Sequence, residues 1–268
     1  MRHSLKVRFI IPAVIPLFLF FSGCGTSTPT VLNNPVRIVD AEGMVRNYTL
    51  YLPGKGNGEE LPLLVYFHGV RSGEFKNIAV LKGYTGSPVS ETGLIAFCRV
   101  NHIALLEILP SYSYKFMNVE AAGWSPIDRE ISGIETCIDA VAGNYNISQD
   151  NIYLAGISAG AVISHHLANR RPGRYRAVLS HSQAYINEKN EILTPTPGRG
   201  KFGVVFCYTA GDYENLKQLC ESSYKVYKEN GFEAVILRNL PPLSHMWSNS
   251  TNGRFWRLLQ KTGSPLPH

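Results

Sequence analysis

The sequence lacks the features by which nucleic-acid-binding and nucleotide-binding proteins are usually recognised. It has no run of like charges, no stripe of interleaved basic and aromatic residues, no internal repeat, no glycine-rich phosphate loop and no dinucleotide fingerprint. Arg2, Lys6 and Arg8 supply half of the formal net charge of +6. The remaining positive charge is too small to indicate a polyanion partner. We therefore expect no nucleic-acid partner and no nucleotide cofactor.

The sequence also lacks an apolar run that would span a bilayer comfortably. The longest candidate, residues 9–21, is short and is interrupted by Pro12 and Pro16. Basic residues precede this run, and the small residues Ser22 and Gly23 follow it. This order is typical of a signal peptide, which we predict over residues 1–23.

The end of this segment, Phe21-Ser22-Gly23-Cys24, resembles the bacterial lipobox, whose cysteine receives lipid and becomes the mature N-terminus. The resemblance implies an exported protein that is anchored to a membrane of the bacterial cell envelope through Cys24. The alternative is ordinary secretion, with Cys24 as a bystander. We expect residues 24–33 to form a tether and residues 34–268 to form the folded domain.

Cysteine is scarce, and the four cysteines after Cys24 do not have the short paired spacing of a zinc site. We therefore expect no metal. An exported protein can keep disulfides, so one bridge and buried free thiols both remain open. A bridge would be sought first between Cys207 and Cys220. The other two are Cys98 and Cys137.

Apolar strands and amphipathic helices are predicted to alternate along the chain. An opening hairpin at 36–52 is followed by an apolar strand at 61–67, and a polar and aromatic loop is expected at 111–123. Further strands are predicted at 103–109, 152–155, 176–180, 203–208 and 233–237, and helices near 93–100, after 126, and at 159–169, 214–230 and 253–259. This alternation predicts an α/β fold with a mostly parallel sheet and helices on both faces.

The pentapeptide Gly156-Ile157-Ser158-Ala159-Gly160 joins one of these strands to a helix. Gly-x-Ser-x-Gly in this setting indicates a nucleophile elbow, a tight turn that exposes the serine hydroxyl. The glycines are needed because side chains would collide at such a turn. We predict Ser158 as a catalytic nucleophile.

A serine hydroxyl needs a base that takes its proton and a carboxylate that orients the base. His245 follows a predicted strand and precedes the last helix, which is where the base of such a triad belongs. Asp212 comes directly after Gly211 at a strand end and is the favoured acid. Glu214 is the competitor, because Asp212 could instead cap the following helix.

The transition state of acyl transfer needs N–H donors for its oxyanion. We expect them from Ala159, after the nucleophile, and from Val70, in the loop after the strand 61–67. Gly69 would let the backbone approach the substrate. His68 is expected in the same substrate-binding region, as a buried hydrogen-bonding residue rather than a base.

With these residues in place, the chain resembles the secreted carbohydrate-esterase and polyhydroxybutyrate-depolymerase branch of the α/β hydrolases, which includes feruloyl and acetylxylan esterases. The resemblance rests on residues 46–53, the strand into His68-Gly69, residues 151–160, and His245-Met246-Trp247 with Trp256. It implies an α/β-hydrolase fold, ester hydrolysis without cofactor or metal, and Trp247 at the substrate. The substrate would be a small or polymer-borne ester.

Two other interpretations fit parts of the sequence. A serine peptidase of the same fold usually carries an additional domain that gates access, for which about 240 mature residues leave little room. A binding lipoprotein on a hydrolase scaffold would not need both Ser158 and His245.

Overall fold

The computed structural model of the protein describes residues 36–54, 58–70, 88–116, 119–196 and 201–263. The predicted signal peptide, the tether and Cys24 lie outside the described residues.

A sheet of eight strands forms the centre of the described residues. Its strands are β1 (Val36–Val39), β2 (Val45–Tyr51), β3 (Leu61–Phe67), β4 (Ala104–Leu109), β7 (Ile147–Ile157), β8 (Ala177–His181), β9 (Gly203–Thr209) and β10 (Ala234–Leu240), and β5 (Tyr112–Phe116) and β6 (Val119–Gly123) form a separate pair. The order across the sheet is β1-β2-β4-β3-β7-β8-β9-β10. β1 with β2 and β2 with β4 pair antiparallel, and all the other neighbours pair in parallel. The predicted mostly parallel sheet is confirmed.

Helices cover both faces of this sheet. They are α1 (Leu94–Val100), α2 (Ile127–Asn144), α3 (Ala159–Arg170), α4 (Glu214–Glu229) and α5 (Asn252–Thr262). Leu63, Val65 and Phe67 pack into a core with side chains of α2, α3 and α4. Leu64 and Tyr66, which alternate with them, pack into a second core with side chains of α1 and α5. Burial on both faces explains why β3 is apolar throughout.

Among the residues that the structure describes, no helix is both long enough and apolar enough to cross a membrane.

The largest differences between the predicted elements and the structure lie at residues 111–123 and at the start of β7. Residues 111–123, predicted as a loop, contain the antiparallel hairpin β5–β6, which forms a separate two-stranded sheet within the described residues. β7 begins at Ile147, five residues before the predicted strand, because Ile147 pairs with Leu61 of β3. Because residues 148–151 are polar, the apolar pattern of the sequence does not show that the strand begins before them.

All four cysteines after Cys24 are free and buried, so the suggested Cys207–Cys220 bridge is wrong. The Cys220 thiol donates instead to the carbonyl oxygen of Gln183, at 3.1 Å. Burial raises the pKa of Cys98 and of Cys137 to about 12. The thiols therefore act as small apolar core groups.

A buried ion cluster ties the β1–β2 turn to α2. The Arg46 guanidinium donates to Asp40, at 2.7 Å, and to Glu130, at 2.8 Å, and all three side chains are nearly inaccessible to solvent. A third bond from Arg46 reaches the carbonyl oxygen of Arg129, at 2.8 Å. A Cβ on Gly133 of α2 would overlap the guanidinium, which explains the glycine within the helix.

Candidate active site

Ser158 lies at the turn between β7 and α3. Its φ of 54° and ψ of −125° lie outside the regions that non-glycine residues favour. Backbone strain of this kind is concentrated at functional sites. The Ser158 N–H donates to the carbonyl oxygen of His181, at 2.8 Å, and so fixes the turn against the end of β8.

The two glycines of the pentapeptide allow the chain to pack closely at this turn. A Cβ on Gly156 would overlap the backbone of Gly160. A Cβ on Gly160 would overlap the carbonyl oxygen of Phe67, at the end of β3. Both positions exclude a larger residue, which is the physical reason for the sequence pattern.

Asp212 and His245 meet at the same edge of the sheet, although 33 residues separate them in sequence. Nδ1 of His245 lies 2.5 Å from Oδ1 of Asp212. Oδ2 of Asp212 accepts two more hydrogen bonds, from the Ser182 hydroxyl at 2.7 Å and from the Thr209 N–H at 2.6 Å. The carboxylate is therefore held in one orientation.

These bonds keep Asp212 charged. Burial acts to raise the pKa of Asp212, but the hydrogen bonds from His245, Ser182 and Thr209 outweigh it and lower that pKa to about 2. An ionised carboxylate only accepts hydrogen bonds, so His245 carries a proton on Nδ1. Nε2 is then the nitrogen that can exchange a proton with a substrate or a nucleophile.

Gly211 explains how the two loops of this pair come together. A Cβ on Gly211 would overlap the backbone of Leu243 and Ser244. The Thr209 hydroxyl also donates to the Ser244 carbonyl oxygen, at 2.8 Å. The Gly-Asp adjacency in the sequence thus serves close packing against the loop that holds His245.

Glu214 does not contact His245 in the structure. It is the first residue of α4, its side chain is mostly exposed, and it lies 3.8 Å from Lys217. Tyr213 is the N-cap of α4, which has no side-chain capping bond, so Asp212 does not cap the helix. Of the two candidate acids, Asp212 is the one bound to His245.

His68 is buried directly after the end of β3. Its Nδ1 lies 2.5 Å from the Gly69 carbonyl oxygen, and its own carbonyl oxygen accepts a bond from Nε1 of Trp124, at 2.8 Å. The side chain is 1% exposed. This placement agrees with a hydrogen-bonding role within the loop.

A cavity of about 470 Å³ opens beside Ser158. Val70 and Ala159, the two predicted oxyanion donors, both line it. The lining combines apolar side chains with side chains that carry amide and carboxylate groups. The apolar ones include Trp124, Ile127, Val162 and Ile186, and the polar ones include Gln183, Asn187, Glu188 and Asn190.

Trp247, predicted at the substrate, lies instead in the core beside α5. Its Nε1 donates to Oδ1 of Asn252, at 2.8 Å, and its ring stacks on the His181 ring, with 5.3 Å between centroids. It does not line the cavity beside Ser158. The residue supports the loop that carries His245.

His181 and Ser182 are part of the site, but sequence reasoning missed them. Ser182 binds Asp212, and Nδ1 of His181 lies 2.7 Å from the Ser182 hydroxyl. The available signal was their position at the end of β8, since parallel strands end at the same edge of a sheet.

Within the described ranges, no group of three or more His, Cys, Asp or Glu side chains could hold a metal ion. His165 bonds to the Tyr227 hydroxyl, at 2.9 Å, and His166 to the Ile186 carbonyl oxygen, at 2.8 Å. These consecutive histidines point apart, as expected for neighbours on a helix.

No protein-family model and no curated protein matches the sequence. Solved structures do match the fold. A ferulic acid esterase from Anaeromyces mucronatus is 18% identical, with a TM-score of 0.62, over 91% of this chain and 94% of the esterase. The S-formylglutathione hydrolase of Staphylococcus aureus is 12% identical, with a TM-score of 0.57, over 89% of this chain and 100% of that enzyme.

Peptidases have the same fold. A Bacteroides ovatus protein assigned as a dipeptidyl aminopeptidase IV is 14% identical, with a TM-score of 0.64, over 89% of this chain. The match spans only 36% of the Bacteroides protein. Structural similarity at such low sequence identity establishes the fold but does not identify the substrate. Together with the sheet order and the elbow, these matches confirm the predicted architecture: the chain has the α/β-hydrolase fold.

Proposed function

We propose that the chain is a serine hydrolase that cleaves carboxylic esters through an acyl-enzyme intermediate. The observation that carries the proposal is the bond between Asp212 and Nδ1 of His245 at the sheet edge where Ser158 forms a strained elbow. A nucleophile, an orienting acid and a base in this chain order are characteristic of hydrolases of this fold.

In the proposed reaction, Ser158 attacks the ester carbonyl while its proton passes to Nε2 of His245. Asp212 holds the Nδ1 proton and stabilises the imidazolium that forms. The tetrahedral intermediate collapses when His245 returns the proton to the leaving alcohol. Water, activated by the same histidine, then releases the acid from Ser158.

The backbone N–H groups of Val70 and Ala159 are the proposed oxyanion donors. Ala159 is the first residue of α3, and the first N–H groups of a helix have no acceptor within it. Val70 lines the same cavity as Ser158. The positive end of the α3 dipole would also favour the developing negative charge.

The mixed lining of the cavity suits an ester with one apolar and one polar end. Trp124, Val162 and Ile186 would accept an apolar acyl group, and Gln183 and Asn187 would face a hydroxylated alcohol. Feruloyl, acetyl and hydroxyalkanoate esters of polysaccharides or polyesters meet this description.

We propose export and lipid attachment at Cys24, which would keep the enzyme at the bacterial surface. Mass spectrometry of the mature N-terminus tests the attachment, and an unmodified Cys24 would contradict it.

The first test is hydrolysis of a short activated ester by the purified chain, wild type and Ser158→Ala. We expect Ser158→Ala to lower kcat/KM by at least about a thousandfold. Ser164→Ala is a matched control, because this serine lies in α3, the helix that follows Ser158, and its hydroxyl donates to the Gly160 carbonyl oxygen. Equal activity of Ser158→Ala and wild type would refute the proposal.

A second experiment addresses the substrate class. One preparation is compared on feruloyl, acetyl-xylan and hydroxybutyrate esters and on a peptide amide. We expect turnover of at least one ester and much slower turnover of the amide. Preferred cleavage of the amide would replace the esterase proposal by a peptidase.

A further inference from the structure

A continuous chain of hydrogen bonds runs behind the carboxylate of Asp212. Nδ1 of His181 lies 2.7 Å from Oγ of Ser182, and this hydroxyl donates to Oδ2 of Asp212, also at 2.7 Å. On its other oxygen, Asp212 binds His245 at 2.5 Å. Consecutive hydrogen bonds therefore link four side chains that come from three segments of the protein.

The chemistry of these groups fixes the direction of the chain. An ionised carboxylate can only accept, so the single hydroxyl proton of Ser182 points to Asp212. Oγ of Ser182 then presents a lone pair to His181. A contact of 2.7 Å between two lone pairs would be repulsive, so His181 carries its proton on Nδ1 and donates to Ser182.

The backbone of Ser182 is strained. Its φ is 58°, a left-handed conformation that glycine adopts more easily than serine. Its N–H donates to the Cys207 carbonyl oxygen, at 2.7 Å, which holds this conformation. Glycine would meet the backbone requirement, so what serine adds at this position is the hydroxyl.

The His181 ring is fixed by burial and by packing. The residue is 1% exposed, and its ring stacks on Trp247, two residues after His245. Burial lowers the pKa of His181 to about 4, so the ring is neutral at neutral pH.

The other titratable groups around Asp212 do not compete for this role. The thiols of Cys207 on β9 and Cys220 on α4 are neutral, because burial raises the pKa of both. Lys217 on α4 donates to the Ala210 carbonyl oxygen, at 3.0 Å, and lies beside Glu214.

We propose that His181 and Ser182 are positioning residues of the esterase, which hold Asp212 ionised and aimed at His245; this inference rests on the proposed function. Ser182 delivers a hydrogen bond to the carboxylate, and His181 orients that hydroxyl and polarises it. Without them, Asp212 would rotate more freely and would bind a proton more readily.

The test compares three variants with wild type. Ser182→Gly removes the hydroxyl at a backbone position that suits glycine. His181→Phe keeps an aromatic ring on Trp247 but has no N–H donor, whereas His181→Asn supplies an amide N–H near the position of Nδ1 but loses the ring. Thermal unfolding verifies that each variant folds.

We expect Ser182→Gly to lower kcat about tenfold with little change in KM, as the loss of one bond to a charged acceptor implies. The acidic limb of its kcat/KM profile should also move relative to wild type, because the loss of one donor changes how strongly the Asp212 carboxylate interacts with His245. His181→Phe should change in the same direction by a smaller factor. His181→Asn should recover most of the wild-type rate.

The opposite ranking would overturn the inference. If His181→Phe has the wild-type rate and pH profile while His181→Asn is impaired, the ring acts through packing alone. An unshifted profile in Ser182→Gly would remove the role of the hydroxyl.

A readout without substrate separates these failures from a failure of the proposed function. The proton on Nδ1 of His245 should give a far-downfield NMR signal, which moves further downfield in Ser182→Gly. A wild-type chain that hydrolyses no ester but shows this change would contradict the function and support the positioning role. An unchanged signal in Ser182→Gly would contradict the positioning role.

Discussion

The carboxylate of Asp212 lies 2.5 Å from Nδ1 of His245, and it is the only one of the two candidate acids that contacts this histidine in the described residues. We therefore expect Asp212→Asn to lower kcat/KM by at least about a thousandfold, because the amide would bind the wrong tautomer of His245. Glu214→Gln is the matched control and should stay within about twofold of wild type. Steady-state kinetics on one activated ester measures kcat/KM for both variants. A larger loss of kcat/KM in Glu214→Gln than in Asp212→Asn would identify Glu214 as the acid.

Gly211 lies against the backbone of the loop that holds His245, where a Cβ would overlap Leu243 and Ser244. Gly211→Ala should displace this loop, lower activity at least about tenfold, and destabilise the protein by about 1–3 kcal/mol. Gly143→Ala, in α2, is the control, since a Cβ there meets no atom within 4 Å. It should be neutral or slightly stabilising. Urea unfolding and ester kinetics measure both effects, and equal behaviour of the two variants would contradict this role of Gly211.

The buried Arg46 neutralises two buried carboxylates, Asp40 and Glu130. Removing the guanidinium leaves both acids without their cation, so Arg46→Ala should lower the free energy of unfolding by about 3–5 kcal/mol. Arg37→Ala, at an exposed position of the neighbouring strand, should cost less than about 0.5 kcal/mol. Chemical denaturation compares the two variants. A loss below about 1 kcal/mol in Arg46→Ala would show that the cluster contributes little.

His165 makes stability depend on pH. Burial lowers the pKa of His165 from 6.5 to about 3, so below pH 6.5 the unfolded chain binds a proton that the folded chain does not. This contribution is complete above pH 6.5 and is lost as the pH falls towards 3. His165→Phe keeps a ring against Phe206 but cannot titrate.

Between pH 7 and pH 4.5, the free energy of unfolding should therefore fall less in His165→Phe than in wild type. The difference should be on the order of 2 kcal/mol. Urea unfolding at both pH values measures it. Equal losses in the two proteins would show that His165 does not titrate with folding.

The sequence predicted the parts of this protein that depend on local pattern. The strand into Ser158 and the helix after it follow from an apolar run and two glycines. The hairpin at 112–123 could not be predicted, because no apolar pattern in the sequence marks its two strands, which pair with each other. The start of β7 at Ile147 depends on its pairing with Leu61, a partner far away in sequence.

Only some residues of the candidate site could be predicted from the sequence in the same way. The contact between Asp212 and His245 agrees with the sequence pattern, because strand ends and chain order limit where an acid and a base can lie. Trp247 was expected at the substrate from the family resemblance, but its indole N–H is bound to Asn252 within the core. His181 and Ser182 carry no motif, and only the three-dimensional contact with Asp212 reveals them.

The proposed role of Ser158 as a nucleophile can be tested with a fluorophosphonate probe. The purified chain is treated with the probe, and the modified peptide is identified by mass spectrometry. We expect stoichiometric labelling on Ser158, which disappears in Ser158→Ala, slows strongly in Asp212→Asn and persists in Ser164→Ala. Absence of labelling in the folded wild-type chain, or labelling at another serine, would contradict this role.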